Sequence, residues 1–547
     1  MQNKFQKFGT MIDCSRNAVI TVESLKKWVD ITSDLGYNTL MLYIEDTYEI
    51  ESEPYFGHLR GRYTASELRE IDDYAYQKGM EVIPCIQTLA HLNAIFDWDE
   101  YRNTIWDCND ILLAEEEKTY NLIDKMFATI CKNFRSRTVN IGMDEAHFLG
   151  LGKYLEKNGF KERTKILTDH LNVVSDIAKK YDLDLMMWGD MFVRLANGGE
   201  YYADSFEASD ELRNSIPENV RIIYWDYYSF DKKRYDNQIK SHKTIKENIA
   251  FAGGLWTWGG PIPQNIFSIK ANKAALGSCL ENGVDDVCLT MWGDDGAECS
   301  VFAAIPSLYH ASQIAKGITD ETEIKAGFKE KFGISFDDFM LLDLPDTPSK
   351  YKGGPRGGDD LRNPEKYMLY SDMFMGKYDN IVREGDAESY AECAEKLKKL
   401  ENNEIYGYLF TKARALCDVL AVKYDLGVRT RKAYLENNKA DLEKVIADYD
   451  KLLILIENYY KAFKNEWFKE NKPHGFDVQE ICIGGLSLRV RSCRERLQQF
   501  ADGEIERIEE LEEPVLNLHG FEAENIPHYE SQWHKMITAN VISHNVF

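Results

Sequence analysis

The sequence predicts an α/β fold: a (β/α)8 barrel of the TIM type, followed by an all-α C-terminal domain. Three observations carry this. Over the first 310 or so residues, short apolar runs alternate with amphipathic stretches. The runs are continuously apolar, as expected where both faces of a parallel sheet are covered. Eight such strand–helix units in that length match a closed barrel with modest insertions. A doubly wound open sheet is the alternative.

The strands, in order, are "FGTMIDC" (8–14), "NTLMLYI" (38–44), "MEVIPCI" (80–86), "TVNIGM" (138–143), "LDLMMW" (183–188), "VRIIYW" (220–225), "IAFAGGLW" (249–256) and "DVCLTMW" (286–292). Helices between them have readable ends. Thr21 opens one that Gly36 closes; Thr64 with Glu67 makes a capping box, and Gly79 follows its last turn. The catalytic barrel is expected over 1–342. A linker rich in Gly, Pro and charge spans 343–362, and a helical domain covers 363–547, its apolar residues recurring at helical spacing to about 520. Within it, "NEWFKENKPHGFDVQEICIGGLSLRVRS" (465–492) is unusually rich in Gly, Pro and aromatics. It reads either as a loop shaping the active site of its own or a partner subunit, or as a plain interhelical turn.

Bulk composition excludes some functions. Acidic residues outnumber basic ones by 91 to 66, for a net charge of −25, a poor match to nucleic acid or anionic membranes. "DEAH" at 144–147 has no upstream phosphate-binding loop, so nucleotide-driven work is not indicated. Eleven cysteines without a C-x-x-C pair suit reduced thiols. The start lacks an apolar signal region, and no window approaches a membrane span. A cytoplasmic protein is the expectation.

In a barrel, chemistry gathers where strands end and βα loops begin. Those ends carry Arg16, Asp46, His91, Asp144 with Glu145, Trp188 with Asp190, Trp225 with Tyr227, Trp256 with Trp258, and Trp292 with Asp294. Any one has an ordinary structural reading; the coincidence points to a site. Aromatic walls around carboxylates suit a sugar, whose C–H face stacks while its hydroxyls bond to charged groups. His91, Asp144, Glu145 and His147 could be imagined as metal ligands, but they lack the spacing of a fixed set, and no metal or organic cofactor is expected.

Neighbouring carboxylates on one strand end cannot flank a glycosidic bond from opposite faces. The seventh strand, where many barrel glycosidases place a nucleophile, ends "GGLWTWGG" without a carboxylate. The protein thus supplies an acid and no nucleophile. That gap closes if the substrate's own 2-acetamido oxygen attacks the anomeric carbon, with the neighbouring Asp orienting the amide.

The motifs "MIDCSR" (11–16), "IPCIQTLAHLNA" (83–94), "IGMDEAHFLG" (141–150), "MMWGDM" (186–191) and "TMWGDDGAE" (290–298), in that order, resemble the family 20 glycoside hydrolases, the exo-acting β-N-acetylhexosaminidases. The resemblance implies Glu145 as general acid/base, Asp144 as the acetamido-orienting residue, and Asp46 with His91 as a hydrogen-bonded relay towards Glu145. It implies Arg16 and Asp294 on the sugar's outer hydroxyls, and Trp188, Trp225 and Trp292 as walls around the sugar; Trp256 and Trp258 join the substrate-binding candidates from their place at the end of strand seven. The departures are Leu89-Ala90 where the family has Pro-Gly, Gln87 where Asp is common, and Asp294 in place of Glu. The tyrosine after strand seven that bonds the acetamido oxygen is missing, with Tyr227 as its substitute. The usual small N-terminal domain is not seen before strand one, as in a compact, divergent branch.

The expected function is a retaining exo-β-N-acetylhexosaminidase acting on small oligosaccharides or glycoconjugates with terminal β-linked GlcNAc or GalNAc. An O-GlcNAc-type hydrolase, which uses two aspartates, and a non-catalytic sugar-binding barrel are the rivals. Sugar preference, aglycone and oligomeric state, a homodimer included, are left open.

Overall fold

The computed structural model describes residues 3–346, 363–518, 520 and 530–541. Eight parallel strands close a barrel: β1 (Lys7–Asp13), β2 (Thr39–Glu45), β3 (Glu81–Ile86), β4 (Thr138–Asn140), β5 (Asp184–Trp188), β6 (Val220–Trp225), β7 (Ala250–Gly254) and β8 (Asp286–Met291). Each neighbours the next in sequence, and β1 pairs with β8 from Lys7↔Asp286 to Ile12↔Met291. All eight expected strands are present. Strands β2 and β8 are buried along their whole length, which accounts for their unbroken apolar runs. At Gly9 the walls come so close that a Cβ would lie 2.1 Å from Thr39 Oγ1.

Local signals set the helix ends. Thr21 caps Val22–Leu35, which Gly36 ends in the left-handed region at φ 92°. Thr64 and Glu67 form the reciprocal capping box of Ala65–Gln77. Strand β4 is shorter than expected because the chain leaves the ladder after Asn140, in a turn that builds the site. All eleven cysteines are free thiols, nine of them buried. Among the described residues no helix is long and apolar enough to cross a membrane.

Beyond the barrel, Pro364–Tyr370, Asp386–Lys398, Gly407–Lys423, Leu426–Leu435, Lys439–Glu470 and Phe476–Ala501 make the helical region. Of the expected linker 343–362, residues after Asp346 lie outside the described part. A buried ionic network joins the β8 loop to the helices. Lys366 bridges Asp295 at 3.3 Å and Glu298 at 2.6 Å, and Lys412 holds Glu466 and the Glu298 carbonyl. Glu470 Oε1 accepts from Ser300 Oγ at 2.7 Å and Tyr408 OH at 2.6 Å.

Candidate active site

The turn after β4 explains why two acids stand side by side. Gly142, Met143 and Glu145 all have left-handed backbones, at φ 73°, 66° and 50°. For the two non-glycine residues this costs about 1–3 kcal/mol each. Three buried side-chain oxygens hold the turn. Gly142 N–H donates to Asn140 Oδ1 (2.9 Å), Met143 N–H to Gln87 Oε1 (3.1 Å), and Glu145 N–H to Asp190 Oδ2 (3.0 Å). A Cβ at Gly142 would fall 1.9 Å from Gln87 Oε1, so only glycine fits. The contortion separates the neighbours: Asp144 is buried, while the Glu145 side chain stays 41% exposed.

Asp144 is gripped on both oxygens. Gln87 Nε2 donates to Oδ1 at 2.8 Å, and His91 Nε2 lies 3.1 Å from Oδ2. Burial works against charging either group, but their mutual attraction outweighs it. His91 is pushed up to about 10 and Asp144 is held below the usual carboxylate range, so the pair is ionised at neutral pH. Asp110 anchors His91, accepting its backbone N–H at 3.0 Å. Glu145 faces two cations at longer range, His91 Nε2 at 3.8 Å and Arg194 Nη2 at 3.9 Å. Arg194 also reaches Asp190 at 3.5 Å and lies over the Tyr201 ring. Burial, and then the charge of Asp144, push Asp190 up to about 7.

Opposite the acids, Arg16 pairs with Glu45 at 2.5 Å, and Asp13 ties β1 to β8 by accepting from Gly293 N–H at 3.0 Å. Asp294 is pushed up to about 6 by burial, against the pull of Arg16. The pocket holds Arg16, His91, Asp144, Glu145 and Asp294 within walls of Tyr43, Trp188, Trp225, Tyr227, Tyr228, Trp258 and Trp292. Tyr43 meets Trp292 edge-on at 4.9 Å, and Trp225 stacks on Tyr227 at 5.4 Å.

The catalytic-domain model of glycosyl hydrolase family 20 matches residues 5–254, and the glycoside hydrolase 20C C-terminal-domain model matches 337–530. The chain belongs to glycosyl hydrolase family 20. Curated relatives include hexosaminidase D of Bos taurus, 24% identical over 45% of this chain and 69% of that protein, and of Homo sapiens, 24% identical over 55% and 64%. Among solved structures, an exo-β-N-acetylglucosaminidase from Vibrio harveyi is similar at TM-score 0.47 and 15% identity, over 62% of this chain and 59% of that one.

Within this family 20 chain, three expectations need correction. Asp46 does not form the relay to His91: Arg60 engages its carboxylate, at 3.1 Å to Oδ1, while Asp110 holds the His91 backbone N–H and lies 3.8 Å from its Nδ1. A bulge in β2 between Tyr43 and Glu45 changes which side chains face inward, presenting Glu45, with its left-handed backbone, to Arg16. Trp256 is not a pocket wall. It is fully buried behind Trp258, stacked at 4.1 Å, with its indole N–H on the Tyr227 carbonyl. The expected loop within 465–492 shrinks to 471–475, and Gly484 and Gly485 lie inside the helix Phe476–Ala501. That short turn packs on its own barrel: Lys472 N–H donates to the Val19 carbonyl at 2.8 Å, and Gly475 backs onto Asn17, next to Arg16.

Sequence reasoning missed Tyr43, Glu45, Tyr228 and Arg194. Tyr43 and Glu45 end a strand already recognised, and counting alternate residues inward would have reached Tyr43. Arg194 sits one helical turn after Asp190, a spacing that could have flagged it.

Proposed function

We propose that the protein is a retaining exo-β-N-acetylhexosaminidase, releasing terminal β-linked GlcNAc or GalNAc with the substrate's 2-acetamido oxygen as nucleophile. The observation that carries this is the clamped, ionised Asp144 beside a more exposed Glu145, at a site where the end of β7 contributes the Trp258 ring and no carboxylate. A carboxylate gripped this way is a fixed negative charge. It suits orienting an amide N–H and stabilising the positive charge that spreads over the acetamido group as its oxygen attacks C1. Glu145 protonates the leaving oxygen, then deprotonates the water that opens the oxazoline-like intermediate, so configuration is retained.

Arg16 and Asp294 serve the sugar's outer hydroxyls, and Trp188, Trp225, Trp258 and Trp292 enclose its apolar face and the acetamido methyl. Tyr227, packed between Trp225 and Trp258, is the proposed partner of the acetamido oxygen. The walls suit a single terminal sugar on a small oligosaccharide or glycoconjugate. The test is a panel of aryl β-glycosides with 2-acetamido and 2-hydroxy sugars. Turnover at least a thousandfold faster on the 2-acetamido series is expected, and comparable rates on both would overturn the reading.

A further inference from the structure

Gln87 stands at the end of β3, completely buried, where the family resemblance leads one to expect an aspartate. Its amide orientation is fixed by its neighbours. Met143 N–H can donate only to an oxygen, so the atom 3.1 Å away is Oε1. The NH2 group must then face Asp144 Oδ1 and the Tyr43 hydroxyl, each at 2.8 Å. One side chain therefore touches both the backbone of the strained turn and the carboxylate that the turn presents. Gly142 leaves it room, since any side chain there would collide with this amide.

An aspartate at 87 would have a shorter reach and would place a second carboxyl beside Asp144. A glutamine supplies an N–H donor with no charge. It stabilises the Asp144 carboxylate by hydrogen bonding, on the side that His91 does not cover.

We propose that Gln87 is a positioning residue for the reaction: its amide locks the left-handed turn through Met143 while aiming and stabilising the Asp144 carboxylate. This rests on the assignment of Asp144 made above. The same geometry makes a replacement with an opposite pH response available. In Gln87→Glu, one carboxyl oxygen still accepts from Met143 N–H. The other can donate to Asp144 only while it carries a proton, so the pair shares one proton and the donor is lost as pH rises.

The experiment compares the pH dependence of kcat, KM and the melting temperature for the full-length enzyme and its Gln87→Glu and Gln87→Met variants. The assay uses whichever aryl β-glycoside the parent turns over. Gln87→Met should lose about 10–100-fold in kcat, with its acid limb moved to higher pH. Gln87→Glu should melt close to the parent and keep partial activity at acid pH. Its alkaline limb should fall by at least one pH unit, while KM changes less than threefold. A merely structural residue would lower activity evenly across pH, so folded variants with unmoved limbs would overturn the proposal, whatever their kcat. A parent enzyme that prefers 2-hydroxy glycosides would overturn the reaction assigned above instead, and the limbs would still report on Gln87.

Discussion

His91 sets its Nε2 3.1 Å from Asp144 Oδ2, and this contact holds the carboxylate below its usual range. In the proposed mechanism Asp144 must be ionised to stabilise an oxazolinium-like charge, so activity should be lost on the acid side as it takes up a proton. Because His91 lowers the pKa of Asp144, His91→Asn should raise it and move the acid limb of kcat upward by about 1–3 units. At neutral pH kcat should also fall by about 10–100-fold. A pH–rate profile checks both, and an unmoved acid limb in a folded variant would deny His91 this role.

The two acids should fail differently. Glu145→Gln removes the proposed proton donor, so turnover of an alkyl or sugar aglycone should fall at least a thousandfold. A dinitrophenyl aglycone, which leaves without protonation, should suffer far less in the first step. Binding of N-acetylglucosamine, read by calorimetry, should be largely retained. Asp144→Asn should lose orders of magnitude on every aglycone, because its proposed role is on the acetamido group common to all.

The barrel was legible because its strands are buried on both faces, and burial writes an unbroken apolar run into the sequence. The clustering of Asp144, Glu145, His91, Asp294 and the tryptophans was legible for a related reason: the fold fixes which strand ends share a face. Asp46 was misplaced because a bulge breaks the period-two rule just where β2 ends, and no residue type announces it. Trp256 was misplaced because the two tryptophans, two apart on one strand extension, stack one behind the other once the chain leaves the ladder. The helical continuation through Gly484 and Gly485 was hidden because paired glycines ordinarily signal a break, whereas here the flanking turns pack well enough to carry them.

Asp294 gives a second pH dependence, in KM. With its carboxyl raised to about 6, it is neutral at pH 5 and ionised at pH 7. In its proposed role as acceptor for the sugar's outer hydroxyls, the ionised form binds more strongly than the neutral one. KM should therefore fall as pH rises from 5 to 7, with a midpoint near 6. Asp294→Asn should raise KM about tenfold and flatten that dependence, which initial-rate measurements across this range would show.

The link between barrel and helices should depend on Lys412. Its ammonium and Glu466 are both almost fully buried, and it also donates to the Glu298 carbonyl at 2.6 Å. Lys412→Met leaves Glu466 buried without its cation, a loss of about 3–5 kcal/mol. Removing the charge as well, in Lys412→Met with Glu466→Leu, should recover most of it. Denaturant unfolding of the two variants separates the outcomes. Equal destabilisation of both would mean that packing, and not the orphaned charge, is what the lysine protects.

His170 should make stability respond to acid in a way that a variant can isolate. Burial holds it near 4, against an ordinary 6.5, and its Nε2 lies 2.8 Å from the carbonyl of Thr88, next to Gln87. Between pH 6.5 and 4 the unfolded chain protonates this histidine and the native state does not, so its contribution falls as pH drops, by up to about 3 kcal/mol. Buried carboxyls such as Asp343, raised to about 7, respond in the opposite sense and mask the effect in the parent protein alone. The comparison with His170→Gln removes that background, since the glutamine amide can still donate to Thr88 and does not titrate. The variant should be less stable than the parent at pH 7.5 and close the gap, or overtake it, by pH 4.5. A stability difference that stays constant over this range in chemical unfolding would show that His170 titrates alike in both states.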